Sequence, residues 1–389
     1  MPINNRIAER ADTIAEWRRV LHQNPEIMYD LPETMAYVAA KLRSFGCDEV
    51  VEGLGQTGVV GVIKGGKGDG PTVGLRSDMD ALPILEETGV PHASVTPGKM
   101  HACGHDGHMA MLLGAAEHLC ETRGFAGTTV VIFQPAEEGG AGAKAMMDDG
   151  LFERFGIDEV YGMHNYPGIP VGSFAMRAGP IMAATDIFSI LVTGSGGHAA
   201  RPHTVKDPVV ASAQMITALQ SIASRNADPL ESLVVSITTI HAGDADNVIP
   251  ERVKMTGTVR TLVPEMRDLA EQRIGEIVRG VASSMGCSAE LAYERNYPVV
   301  VNHDRETAFA ASIASKVVGA AQVNDQTPPV MGGEDFAFML EDRPGAFIFT
   351  GNGEDSANLH SPHFDFNDEI IPYGTSYWVE LVETRLAAA

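Results

Sequence analysis

Cysteine is scarce in this sequence, and long apolar runs are missing from it. The four cysteines among 389 residues, Cys47, Cys103, Cys120 and Cys287, are too few and too scattered for a disulfide framework. We expect buried free thiols at all of them except Cys103, whose neighbours are unusual. No run approaches the roughly 18 to 20 apolar residues of a membrane-spanning helix. The first residues lack the apolar core of a signal peptide, so we expect a cytoplasmic protein without a membrane partner.

Basic residues are also in short supply. Lys and Arg number 28 against 51 Asp and Glu, which gives a formal net charge of −23. Nucleic acids and anionic membranes favour proteins with clustered Lys and Arg, so the composition argues against both as partners. A small-molecule substrate stays compatible with this charge, because its binding site can be locally positive on an acidic protein.

Strand-like runs alternate with helical patterns in the first half of the chain. Apolar runs predict strands at 59–63, 72–75, 128–133 and 158–163. Helical patterns occupy 7–21, 32–45, 109–119 and 142–147. This alternation is typical of an α/β domain with a mixed, mostly parallel sheet and helices on both faces. Ligands of such sheets bind beyond the carboxyl ends of the strands.

The pattern changes near Ala183. A strand, a helix, two strands, a helix and a strand then follow, at 186–193, 208–224, 233–240, 252–260, 264–285 and 288–293. This order is that of the ferredoxin-like α+β fold. Helices at 307–318 and 373–387 and a strand at 346–349 follow it. We therefore predict a lid or dimerisation domain at 183–298, inserted between two parts of a catalytic domain at 1–182 and 299–389.

The strongest local signal is the segment MHACGHDGH at 100–108. Cys103 and His105 are of the ligand types that zinc and similar first-row ions prefer. Gly104 and Gly107 suit a tight turn from a strand into a helix. Alone, the segment fits a polar turn that caps the next helix equally well, because three-residue ligand motifs recur by chance.

Two adjacent acids, Glu137 and Glu138, follow the strand at 128–133. In an extended chain successive side chains point to opposite faces, so one acid can bind a metal while the other faces the water that the metal holds. That division would supply a Lewis acid and a general base. A solvated loop with two unrelated acids is the alternative.

Three weaker signals accompany these segments. His164 ends an apolar strand, where a lone His is more often a packed core residue than a ligand. His360 lies in a loop rich in Pro and Asp. Asp78 and Asp80 follow a strand at a spacing of two, so they would share one face and could orient ligating histidines. It is the conjunction of the five signals that predicts a metal site.

Taken in order, these motifs resemble the aminoacylase-type metallopeptidase-like amidohydrolases. The matching segments are DMDALP at 78–83, CGHD at 103–106, QPAEE at 134–138, MHN at 163–165, GGHAARPH at 196–203, NVIP at 247–250, GTVR at 257–260, GGEDF at 332–336 and LHSP at 359–362. The Cys-x-His version resembles the branch of hippurate hydrolases and auxin-amino-acid-conjugate hydrolases, which cleave N-acyl and N-aroyl amino acids. The resemblance covers nearly the whole chain.

The resemblance implies a two-metal site. Five residues fall on the positions of the metal ligands: Cys103, His105, Glu138, His164 and His360. Glu137 falls on the general acid/base, and Asp80 falls on the buried acid of its motif. Such a ligand set is compatible with Zn²⁺, Mn²⁺, Co²⁺ or Ni²⁺.

The resemblance also implies a role for the inserted lid domain. His198, Asn247 and Arg260 fall on its substrate-recognition positions. In the resembled family the His at position 198 reaches the active site of the neighbouring subunit. We therefore expect a homodimer, or a dimer of dimers, whose sites are completed in trans.

The implied reaction is hydrolysis of the amide bond of an N-acetyl, N-benzoyl or similar N-acyl amino acid. An aminopeptidase or dipeptidase on the same scaffold is one alternative, since only the lid would differ. A metal-binding or storage protein without catalysis is another, although it would not need Glu137 beside Glu138. A cysteine hydrolase would pair Cys103 with His105, but residues two apart rarely reach the geometry that such a pair needs.

Overall fold

The computed structural model describes residues 3–388. Its α-helices are α1 (Asn5–Gln23), α2 (Pro32–Phe45), α3 (His105–Thr122), α4 (Gly142–Asp148), α5 (Leu151–Phe155), α6 (Pro208–Ser221), α7 (Pro264–Ser284), α8 (Asp304–Val318), α9 (Phe336–Asp342) and α10 (Ile371–Arg385). Short 3₁₀ turns occupy Pro202–Thr204, Ala320–Gln322 and Asp368–Ile370, and a π-helical turn at Ile222–Asn226 extends α6.

The strands of the first half are β1 (Glu49–Leu54), β2 (Gly58–Lys64), β3 (Thr72–Asp78), β4 (Thr128–Gln134), β5 (Glu159–Pro167), β6 (Phe174–Ala175), β7 (Gly179–Met182) and β8 (Ala184–Thr193). Those of the second half are β9 (Gly197–His198), β10 (Leu233–Ala242), β11 (Val248–Ile249), β12 (Arg252–Thr261), β13 (Ser288–Arg295), β14 (Val300–Asn302), β15 (Val323–Asn324) and β16 (Gly345–Gly353). No helix within residues 3–388 combines the length and the apolar character needed to cross a membrane.

The chain divides into two compact units. Unit 1 contains the described residues up to Ile181 together with Val301–Pro328 and the chain from Asp335 onward. Unit 2 contains Met182–Val300 and the short segment Pro329–Glu334.

Unit 1 is built on an eight-stranded sheet in the order β1-β2-β4-β3-β5-β16-β6-β15. The pairs β4-β3, β3-β5, β5-β16 and β6-β15 are parallel, and the other three are antiparallel. The predicted α/β class with a mixed, mostly parallel sheet is therefore confirmed.

Helix α3 lies at the centre of unit 1. It contacts α1, α2 and α10 as well as strand β3. Because it is enclosed on every side, it carries apolar residues all round rather than along one stripe. At Gly114 an added Cβ would lie 2.6 Å from the Ile14 side chain, so glycine lets α1 approach closely. The buried helix thus holds its first residue, His105, in a fixed place.

Unit 2 has a four-stranded antiparallel sheet in the order β10-β12-β8-β13. Its core joins the sheet to α6 and α7, with Phe188 and Val192 from β8, Met215 from α6 and Ile274 from α7. Along the chain the elements follow as β8-α6-β10-β12-α7-β13. This is the predicted ferredoxin-like arrangement.

Candidate metal centre

The turn before α3 brings Cys103 and His105 toward strand β5. Gly104 has φ +89°, a left-handed conformation that glycine adopts without strain. An added Cβ there would lie 2.3 Å from the Asn165 side chain, so no larger residue fits. The thiol of Cys103 lies 3.3 Å from Nε2 of His164. His164 lies inside β5 rather than at its end, because β16 pairs with β5 as far as Pro167.

Glu137 and Glu138 occupy a turn beyond β4, not an extended chain. The side chains of Glu137 and Glu138 therefore do not alternate as predicted for an extended chain, because Ala136 has φ +53° and a turn follows it. The turn is fixed instead by the Asp80 carboxylate. Its two oxygens accept hydrogen bonds from the backbone N–H groups of Glu137 (2.9 Å) and Glu138 (3.1 Å).

His360 comes to the same place from the far end of the chain. Its φ of +64° is rare for a residue with a Cβ, and such strain is common at functional sites. The backbone N–H of His360 donates to the carbonyl oxygen of Ala102 at 2.8 Å, next to Cys103. Its Nε2 lies 3.3 Å from Oε1 of Glu138.

The structure thus brings the five predicted ligand residues together within unit 1. One ligand atom each from Cys103, Glu138 and His360 lie within 4.8 Å of one another, and so do atoms of His105, Glu137 and Glu138. His164 joins the cluster through Cys103. Two further groups within residues 3–388 could also hold a metal ion: Asp78, His105, His108 and His164, and Glu137, Glu334 and Asp335.

The environment of His105 tests whether a cation fits. Its Nδ1 donates to the carbonyl oxygen of Asp80 at 2.8 Å, which leaves Nε2 as the atom that faces the cluster. Nε2 is buried and has no hydrogen-bond partner among residues 3–388. Burial opposes protonation, yet the Asp78 and Asp80 carboxylates outweigh it and raise the pKa of His105 to about 10. A buried nitrogen in so negative a field suits a divalent cation.

The pKa values of Cys103 and Glu138 are shifted in opposite directions. Burial, followed by the Glu138 and Glu137 carboxylates, raises the pKa of the Cys103 thiol well above its usual range. Such a thiol is a poor nucleophile unless a cation holds it as the thiolate. For Glu138 burial opposes ionisation, but His360 and His105 outweigh it and lower the pKa.

A second buried group lies behind these residues, and of its members only Asp78 was singled out from the sequence. His108 shares a hydrogen bond of 2.7 Å with Asp78 through Nδ1, and its Nε2 accepts from the backbone N–H of Asn165 at 3.0 Å. Its ring lies 4.5 Å from that of His164. Arg76 donates to the other oxygen of Asp78 at 2.9 Å. The one sequence feature that could have identified His108 is its position one helical turn after His105 on α3.

The three lid residues predicted to bind substrate lie in unit 2. His198 is exposed on β9, which pairs with β11, and the backbone of Ala199 bonds to Asn247 at 3.0 Å. Arg260 is half-buried on β12 and donates to the Thr258 hydroxyl at 2.6 Å. Burial lowers the pKa of Arg260. Their part in substrate recognition stays a prediction.

Two known proteins are similar to this chain over nearly its whole length. Hippurate hydrolase of Campylobacter jejuni is 42% identical over 380 residues, which cover 97% of this chain and 98% of that protein. The IAA-amino acid hydrolase ILR1-like 5 of Arabidopsis thaliana is 40% identical over 393 residues, covering 98% of this chain and 89% of that protein. These relatives confirm the predicted resemblance to the hippurate and auxin-conjugate hydrolase branch, and with it the class of metal-dependent amidohydrolases.

A solved structure and a family model agree with these relatives. A Bacillus subtilis protein described as a dinuclear metal binding peptidase from the M20 family is 34% identical, with a TM-score of 0.83, over 98% of this chain and 100% of that one. Residues 74–384 match the model of peptidase family M20/M25/M40. This chain therefore belongs to peptidase family M20/M25/M40.

Proposed function

We propose that the protein hydrolyses the amide bond of N-acyl amino acids, giving a carboxylic acid and a free amino acid. The observation that supports this most strongly is the grouping of five ligand-type side chains beside an additional buried acid, Glu137. A protein that only stores metal has no need of that acid. Family membership agrees with the proposal.

Two divalent ions would be held by Cys103, His105, Glu138, His164 and His360, and Zn²⁺, Mn²⁺, Co²⁺ and Ni²⁺ all suit this donor set. When bound, such ions polarise a carbonyl group and lower the pKa of water toward neutrality. His105 can serve as a ligand because the Asp80 carbonyl oxygen fixes its tautomer and leaves Nε2 available.

Glu137 would move the protons of the reaction. Its carboxylate would accept a proton from the attacking water and deliver it to the leaving nitrogen, since an amide nitrogen leaves poorly unless it is protonated. Asp80 would act as a positioning residue, because its carboxylate binds the backbone of Glu137 and Glu138 together.

The lid would select the substrate. Arg260 has no carboxylate ion pair within the described part of the chain, so its guanidinium is available for the carboxylate of an N-acyl amino acid. His198, beside Asn247, would stabilise the negative charge that develops on the scissile carbonyl oxygen. One such donor contributes about 3 to 4 kcal/mol. We propose that His198 acts in the partner subunit of a homodimer.

Metal removal tests the proposal. The purified protein would be assayed with acetyl, benzoyl and indole-acetyl amino acids, and with dipeptides, before and after chelation. We expect turnover of N-acyl amino acids to vanish in metal-free protein and to return with a defined divalent ion. Full activity in protein shown by elemental analysis to be metal-free would refute the proposal, and preference for dipeptides would favour a peptidase.

A variant pair tests the role of Cys103. Cys103→Ser should lose metal and activity, whereas Cys287→Ser, which changes a thiol in unit 2, should keep both. Trapping of an acyl group on Cys103 by mass spectrometry would replace the metal-ligand role with that of a nucleophile.

A further inference from the structure

Two of the four cysteines touch each other at a place that the proposed reaction does not use. The Sγ atoms of Cys47 and Cys120 lie 3.6 Å apart. Cys47 follows the end of α2, and Cys120 lies in the last turn of α3. Both thiols are free, Cys47 half-buried and Cys120 buried.

Arg123 holds the two segments in register. Its guanidinium donates to the carbonyl oxygen of Gly46 at 2.8 Å and to the carboxylate of Asp48 at 2.7 Å. These residues flank Cys47 on both sides, and Arg123 itself follows Cys120 by three positions. The turn that carries Cys47 is therefore fixed to the end of α3 independently of the contact between the sulfur atoms.

The same contacts prepare one sulfur for reaction. The hydrogen bond with Cys47, together with the positive charge of Arg123, lowers the pKa of the Cys120 thiol. The same hydrogen bond and burial raise the pKa of Cys47. Because the thiolate is the reactive form, Cys120 is the member of the pair that reacts first.

We infer that Cys47 and Cys120 are an oxidisable pair, which a peroxide converts into an intramolecular disulfide. The Cys120 thiolate attacks one peroxide oxygen, the O–O bond breaks, and Cys120 becomes a sulfenic acid. Cys47 then attacks that sulfur and displaces hydroxide, and the S–S bond forms. Two thiols and one hydrogen peroxide thus give one disulfide and two waters. The sulfur atoms must approach by roughly 1.5 Å to reach the bond length of a disulfide.

The experiment measures thiols and not turnover, so its outcome is independent of the proposed hydrolase activity. The full-length metal-loaded protein would be treated with graded hydrogen peroxide, quenched, denatured, alkylated and digested. We expect a peptide cross-linked between Cys47 and Cys120, and no such peptide after reduction. Recovery of both residues as separately alkylated or singly oxidised thiols in the wild-type protein would overturn the inference.

Variants give matched controls for this result. Cys47→Ser should abolish the cross-link, whereas Cys287→Ser should leave it unchanged. Arg123→Gln should slow its formation by about tenfold, because less Cys120 is ionised and the turn is held less firmly. Arg43→Gln removes an exposed guanidinium of α2 that pairs with Glu52 and should have no effect. Equal rates for both arginine variants would contradict the part assigned to Arg123.

Thermal unfolding provides a second measurement. The cross-link joins residues 73 positions apart, and long closed loops gain the most from a disulfide. Oxidised wild-type protein should therefore melt at a higher temperature than the reduced protein, while Cys47→Ser should show no increase. A lower melting temperature for the cross-linked form would contradict a pair already positioned for bonding.

Discussion

Glu137 and Glu138 are adjacent, yet they are given different parts of the proposed chemistry. Glu137→Gln keeps the shape of the side chain but removes its ability to accept a proton. We expect this variant to retain its metal and to lose about 10²- to 10⁴-fold in kcat, the usual contribution of a positioned acid or base. Glu138→Gln should lose metal affinity instead. Elemental analysis and steady-state kinetics on both variants would distinguish the two roles, and near-normal turnover by Glu137→Gln would contradict the assignment.

The buried contacts of His22 predict that the free energy of unfolding depends on pH. His22 is not one of the predicted metal ligands. Its Nδ1 lies 2.8 Å from Asp106 and its Nε2 lies 3.3 Å from Glu86. Burial opposes the charged ring, but Asp106 outweighs it and raises the pKa of His22 to about 9. A raised folded-state pKa stabilises the protein fully below the unfolded value of about 6.5, and the contribution disappears as the pH rises through 9.

The corresponding variant is His22→Gln, which removes the charge. Its loss in free energy of unfolding should be about 3 kcal/mol at pH 6 and should shrink markedly by pH 9.5. Fluorescence of Trp17 and Trp378, the two tryptophans of the chain, would follow urea unfolding at each pH. A difference between variant and wild type that is constant over this range would exclude a charged His22.

At the residue scale the ligand types could be predicted from the sequence, but their surroundings could not. The motifs named Cys103, His105 and Glu138, and the structure brings them together. The turn at Glu137 depends on the positive φ of Ala136, whose backbone N–H donates to Met28 at 3.1 Å. That contact joins distant parts of the chain, so no local pattern indicates it.

Helix α6 provides a prediction at the scale of one element. The side chain of Asp207 caps its first turn by accepting hydrogen bonds from the backbone N–H groups of Val209 (2.8 Å) and Val210 (3.2 Å). Asp207→Ala should therefore lower the free energy of unfolding by about 1 kcal/mol, whereas Asp207→Asn should cost much less. Calorimetry, with hydrogen exchange at Val209 and Val210, would measure the effect. Equal stability of the two variants would rule out a capping role.

Elements with a regular apolar pattern were predicted well from the sequence, and this includes the edge strands β10 and β13 of unit 2. The helix predicted at 32–45 has the bounds of α2, and the strand at 128–133 differs from β4 by one residue. Strand β1 was not predicted, because only one of its six residues is buried and its burial does not alternate. The predicted helix at 208–224 continues into a π-helical turn, which sequence periodicity does not distinguish from α-helix.

At the scale of the whole molecule, the proposed homodimer predicts complementation between inactive variants. His198 is exposed, and so are the last five residues of the edge strand β10, at 238–242. Both are therefore available to a second chain. His198→Ala and Glu137→Gln would be mixed under conditions that exchange subunits. If His198 acts in trans, a heterodimer contains one site with both groups intact, and activity should return.

The same mixture would stay inactive if His198 acted within its own subunit, because every site would then lack one group. Each variant incubated alone under the exchange conditions serves as the control. A stable, fully active monomer in sedimentation experiments would refute the dimer itself.

The cytoplasmic location expected from the sequence stays a prediction.

The position of β16 in the sheet determines the order in which strands can pair while the chain is being synthesised. This strand lies between β5 and β6 in the sheet, yet it is the last strand to be synthesised. Strand β5, whose edge β16 covers, is synthesised about 180 residues before β16. At roughly 5 to 20 residues per second, this edge of β5 therefore stays unpaired for about 10 to 40 s. Meanwhile the sheet of unit 2, whose strands all lie between Ala184 and Arg295, can already pair. The nascent chain therefore exposes an unpaired central edge, and slow translation or truncation before Gly345 should leave it dependent on chaperones.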